Sequence, residues 1–70
     1  MERLGFVSSV GNLDFCFVTE FESGQIFFCH HSRVRDGVIP RSGARVLFDA
    51  LPYERGDRKR PIISLEVLSG

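Results

Sequence analysis

From residue 15 the chain alternates with a period of two: Phe15, Phe17 and Thr19 share one parity, and Cys16, Val18 and Glu20 the other. A second short run, Ile26-Phe27-Phe28-Cys29-His30, is rich in the branched and aromatic residues that favour extended backbone. Between them lies Phe21-Glu22-Ser23-Gly24-Gln25, whose glycine can supply the positive φ of a tight reversal, so the pattern predicts a β-hairpin. Three more strands are predicted at residues 4–10, 44–50 and about 61–68, with turns at Gly11-Asn12 and Ser42-Gly43. Residues 51–60, Leu-Pro-Tyr-Glu-Arg-Gly-Asp-Arg-Lys-Arg, are too polar and too broken for a core and read as the loop between the last two strands.

No stretch of about 11 residues or more carries apolar side chains at i, i+3, i+4 and i+7, and residues 31–35 have room only for a single helical turn. The fold class is therefore all-β. Five short strands leave unpaired edges unless the sheet closes on itself. The smallest familiar closure is a five-stranded antiparallel Greek-key barrel of the oligonucleotide-binding type, with an SH3-like barrel as the alternative.

Length and composition limit what such a barrel does. Seventy residues, 43% hydrophobic and 26% charged, make one domain over residues 1–70 and argue against disorder or a fibrous repeat. A core this small places function on the surface. The sequence offers neither paired acids with an evident cleft nor a serine or cysteine nucleophile in a supporting constellation, so no enzyme is expected. The formal net charge of +0 hides an asymmetry of −3 over residues 1–32 and +3 over residues 33–70. Such a balance disfavours long-range attraction to duplex DNA while permitting a local basic rim. Two cysteines, Cys16 and Cys29, are too few for a disulfide scaffold. With no leader-like apolar run and no stretch near the roughly 20 apolar residues of a membrane span, a cytoplasmic chain without a membrane partner is expected.

Parity also sorts the hairpin into two faces. If Cys16, Val18 and Cys29 point inward, Phe15, Phe17, Phe28 and His30 point outward; the opposite choice buries His30 and exposes the thiols, which rank among the residues most often buried. Val7, Val46 and Phe48 are expected inside with them. In a register where paired residue numbers sum to 45, Phe17 faces Phe28 and Phe15 faces His30, giving one contiguous outward patch. So much exposed aromatic area on one face calls for a binding partner.

At these residues the sequence resembles the cold-shock domain family, small barrels that bind single-stranded RNA and DNA. Leu13-Asp14-Phe15-Cys16-Phe17-Val18 is similar to the family's Lys-Gly-Phe-Gly-Phe-Ile motif, and Phe27-Phe28-Cys29-His30-His31-Ser32 to its Val-Phe-Val-His-Phe-Ser motif. Gly43-Ala44-Arg45-Val46-Leu47-Phe48 looks like its Gly-Gln-x-Val-x-Phe strand, and Pro61 falls where its Gly-Pro opens the fifth strand. The chain departs from the family at Ser8-Ser9-Val10, where a Lys-Trp-Phe segment is usual, at Leu13 and Asp14 in place of the motif lysine and glycine, and at Val38, near a usual aromatic. The resemblance implies RNA-chaperone or gene-regulatory use.

Together these readings give a platform of Phe15, Phe17, Phe28, His30 and His31 on which successive bases stack, with Arg58, Lys59 and Arg60 following the phosphates. The expected partners are single-stranded RNA or DNA, pyrimidine-rich strands preferred, bound by a monomer or homodimer. The alternative is a protein-interaction or homodimerisation barrel that uses the same aromatic face. Cys29 and His30 point to opposite faces and no Cys-x-x-Cys pair exists, so neither a metal nor another cofactor is expected.

Overall fold

The computed structural model describes residues 2–11, 14–50 and 60–69. The described residues form five strands, β1 (Arg3–Val10), β2 (Phe15–Glu20), β3 (Ile26–His30), β4 (Arg45–Ala50) and β5 (Arg60–Ser69), and a 3-10 turn at His31–Arg33. They form a closed barrel in the order β1-β2-β3-β5-β4, as expected of an oligonucleotide-binding-type barrel. The strands fall within a residue of their predicted ends. Among the described residues no helix is long and apolar enough to cross a membrane.

Four of the five seams are antiparallel. The fifth, between β3 and β5, is parallel and pairs Phe27 with Arg60 and Phe28 with Pro61. Directions cannot alternate all the way round a ring with an odd number of members, so a closed five-stranded barrel must contain a parallel seam. That seam sets the start of β5 beside the outward rings of β3.

β1 pairs on both sides, and Gly5 makes this possible: it sits opposite Glu20 of β2 and Val46 of β4. A Cβ there would lie 2.5 Å from the Thr19 carbonyl oxygen and 3.0 Å from Cε1 of Phe48. Two residues on, the β1–β2 register shifts between Val7 and Ser9, leaving Ser8 as an extra residue whose hydroxyl donates to the Phe17 carbonyl at 3.3 Å. The bulge turns the end of β1 and brings Ser9 opposite Phe17.

The expected inward set is inward. Val7, Cys16, Val18, Cys29, Val46 and Phe48 are at most 1% exposed, and Phe27, Ile62 and Leu65 complete the interior. Phe27 and Phe48 pack with centroids 5.1 Å apart at 57°. Burying such side chains stabilises the fold by about 1.5–3 kcal/mol each. Parity also sends Glu20 inward, the one charged side chain buried among the described residues. Its carboxylate accepts two bonds from Arg3, at 2.9 and 3.2 Å, and one from the Ser23 hydroxyl. The Arg3 guanidinium carbon lies 5.7 Å from the Phe27 ring centre, so this ion pair closes one end of the barrel.

Cys16 and Cys29 are free thiols directly opposite each other. A hydrogen bond with Cys16, reinforced by burial, holds the Cys29 thiol well above the ordinary thiol range. The unfolded chain loses this proton above about pH 8.5 while the folded chain keeps it. The contribution of Cys29 to stability should therefore be full below that pH and fall as pH rises through the alkaline range. Urea unfolding of the wild type and Cys29→Ala between neutral and alkaline pH checks this: the variant should show the shallower decline, and equal slopes would refute it. Gly5→Ala should cost about 1–3 kcal/mol, because the obstacle is a backbone carbonyl that moves only by parting β1 from β2. Thermal unfolding should register a drop of about 4–8 °C per kcal/mol.

Candidate functional site

The β2–β3 hairpin positions the site. Glu20 donates its N–H to the Gln25 carbonyl at 2.9 Å, and His31 donates to the Asp14 carbonyl at 2.8 Å. Stepping by two from either bond, Val18/Phe27 and Cys16/Cys29 occupy hydrogen-bonded positions of the ladder. Phe17/Phe28 and Phe15/His30 then occupy the positions between, where opposed Cα atoms approach to about 4.5 Å and side chains touch most closely. This is the register whose residue numbers sum to 45. Gly24, at φ 74°, holds the reversal, and its N–H bonds to the Glu20 carbonyl at 2.9 Å.

Three rings meet on the outer surface. Phe15 lies 5.6 Å from Phe28 at 30°; Phe17 lies 5.7 Å from Phe15 at 81° and 5.9 Å from Phe28 at 65°. Edge-to-face and tilted contacts of this kind suit the ring quadrupoles and fix the three relative to one another. Each ring is half-buried, because its neighbours cover it. His30, opposite Phe15, is exposed, and the His31 ring lies 4.4 Å from it at 38°. The five residues read from the sequence as a platform thus lie in one connected group.

The histidine end is held by the 3-10 turn. His30 caps it, its Nδ1 accepting the Ser32 N–H at 3.3 Å and lying 2.9 Å from the Ser32 hydroxyl. An Nδ1 that accepts a backbone proton puts the neutral ring's own proton on Nε2, leaving a donor on the far side of the ring. Val34, next in the chain, is buried and bridges to Leu65 of β5, anchoring the turn to the barrel.

Gly11, read from the sequence only as a turn residue, and Ser9, read only as a departure from the resembling family, also shape the platform. Gly11 lies beneath Phe15: a Cβ there would overlap the tip of that ring, and its N–H donates to the Phe15 carbonyl at 3.2 Å. Its signal was a glycine four residues before an outward ring. Ser9 borders Phe17 on the β1 side, where an alternating reading that lacks the bulge cannot place it.

The cationic part of the expected site is only partly visible. Arg60 begins β5, its backbone opposite Phe27, whereas Arg58, Lys59 and Leu13 lie outside the described residues. Two other arginines are engaged elsewhere, Arg3 with Glu20 and Arg35 with Glu66 at 2.6 Å. Arg33, in the turn beside His31, is exposed. Among the described residues no group of three or more His, Cys, Asp or Glu side chains is placed to hold a metal ion. The arrangement offers flat apolar faces, an imidazole donor and few fixed charges, which suits planar, weakly charged or singly charged ligand units. No protein-family model matches the chain, and no curated protein matches it.

Proposed function

We propose that the protein binds single-stranded RNA or DNA in the manner of a cold-shock domain, with low sequence specificity. The observation that carries this reading is the cluster of Phe15, Phe17 and Phe28 in mutual contact on the outside of a closed five-stranded barrel. Successive outward side chains on a strand recur about every 6.6 Å, which accommodates the repeat of an extended nucleotide strand. Bases stack on such rings whatever their identity, because each has a π-face. His30 and His31 extend the surface at its end, and the Nε2–H of His30 supplies a hydrogen bond to a base edge.

Cations contribute less. The motif lysine of the cold-shock family is absent, Asp14 precedes Phe15, and the net charge is +0. Arg60, whose backbone opens β5 opposite Phe27, supplies the phosphate contacts in this reading together with Arg58 and Lys59. The resemblance stated above points to RNA-chaperone or gene-regulatory work.

Fluorescence titration with labelled oligonucleotides tests the proposal. Pyrimidine-rich single strands of about six or seven nucleotides should bind more tightly than duplex of the same sequence. Phe17→Ala and Phe28→Ala should each cost about 1–3 kcal/mol of affinity while circular dichroism shows the fold retained. Unchanged binding in both variants would remove the platform from the mechanism. Two or three neutralised phosphates give a shallow slope of log affinity against log salt, about −1.5 to −2. Replacing Arg58, Lys59 and Arg60 together by Ala should flatten that slope, whereas Phe28→Ala should leave it nearly intact. A slope steeper than about −4 would assign the interface to other cations.

A further inference from the structure

The outer surface of the barrel stays apolar beyond the platform, at the opposite end of β2. Leu4 and Phe6, two apart on β1, lie opposite Leu47 and Arg45 of β4. Phe21, just past β2, brings its ring to 5.4 Å from Phe6, and its N–H donates to the Leu4 carbonyl at 3.0 Å. Leu4 is 53% and Phe21 56% exposed, and Ile26 beside Thr19 adds a further exposed aliphatic side chain. Phe6 and Ile26 flank Thr19, two residues or about 6.6 Å from Phe17, so the patch adjoins the ring cluster there and reaches about 13 Å from Phe17 at Phe21.

Its chemistry differs from that of the platform. Leucine and isoleucine present no π-face to a base, and Glu22 next to Phe21 repels phosphate. A protein surface fits better. Three charges border the patch: Glu66, opposite Leu47, is held by Arg35, which leaves Arg45 on the β4 side beside Phe6 and Glu22 on the side of the β2–β3 turn. Arg45 and Glu22 are exposed, and neither has an ion-pair partner among the described residues.

We infer that the Leu4, Phe6, Phe21 and Leu47 surface is the interface of a two-fold symmetric homodimer, in which Arg45 of each copy meets Glu22 of the other. A two-fold axis through the apolar centre exchanges the two sides of the patch, so a surface that is cationic on one side and anionic on the other complements itself. The net charge of +0 means that two copies do not repel each other as wholes. A patch of this few side chains falls short of the roughly 800 Å² per partner of a standard interface, so the dimer is weak and concentration-dependent. The inference does not rest on nucleic-acid binding.

Sedimentation velocity of the full chain from micromolar to millimolar concentration tests it. The mass should rise from monomer toward dimer, and Phe21→Ser should raise the dissociation constant roughly tenfold or more. Glu22→Arg and Arg45→Glu should each weaken the dimer, and the double variant carrying both exchanges should restore it. Phe17→Ser should leave dimerisation unchanged while impairing oligonucleotide binding, which separates failure of this inference from failure of the platform reading. A monomer at every concentration would overturn the proposal. So would a dimer dissolved by Phe17→Ser rather than Phe21→Ser, or a double charge exchange weaker than either single one. Thermal unfolding monitors the fold of each variant; should Phe21→Ser unfold, the charge-exchange set decides the question alone.

Discussion

The pleat of the β2–β3 hairpin governs both the interior and the exterior of this barrel. Cys16 and Cys29 take the hydrogen-bonded positions facing in, and Phe15, Phe17, Phe28 and His30 take the intervening positions facing out. A slip of one residue would drive three phenyl rings into a space filled by two thiols, a valine and Phe27, and would expose those four side chains to water. The register is pinned at one end by Gly24 and the Glu20–Gln25 bond, and at the other by the Asp14–His31 bond. The outward ring geometry is therefore a consequence of what the core can hold.

Most of this hairpin is legible in the sequence because a period of two leaves only two choices, and the cost of burying His30 while exposing two thiols decides between them. The strands and the inward set follow from the same local signal. What was not legible depends on the ring as a whole. The parallel β3–β5 seam arises from the odd strand number, and the close approach at Gly5 arises because β1 pairs on both sides. The bulge at Ser8 shifts the end of β1 by one residue, which strict alternation cannot anticipate. Glu20 is a sharper case. Its parity with Cys16 and Val18 places it inward, but a carboxylate there makes physical sense only with Arg3, 17 residues away, closing over it.

Stacking and charge are unequally represented at the candidate site. The rings and imidazoles read from the sequence come together, whereas of the expected cations only the backbone of Arg60 is placed beside them. Arg3 and Arg35 have partners of their own. Ser9 beside Phe17 narrows the platform on the β1 side, in the segment where the resembling family carries a tryptophan. Contact with bases would then be concentrated on the β2–β3 side and at the histidines, with less contribution from the phosphate backbone.

The distribution of the seven phenylalanines carries the reasoning one step further. Phe27 and Phe48 fill the interior, and the other five lie outside it at varying depth. Burial in the core cannot account for the five, since the interior is already closed around two. They fall into two adjoining sets that meet at Thr19, which pairs with Phe6 and lies two residues from Phe17. Phe15, Phe17 and Phe28 have one another and the histidines as neighbours, whereas Phe6 and Phe21 have each other, with Arg45 opposite Phe6 and the Leu4–Leu47 pair next along the strands. Aromatic neighbours make a surface of flat faces that suits planar ligands, while mixed aliphatic and aromatic neighbours make one that suits another protein core. One small barrel thus presents two chemically distinct apolar surfaces, and the composition of each, more than its area, indicates what it is fitted to meet.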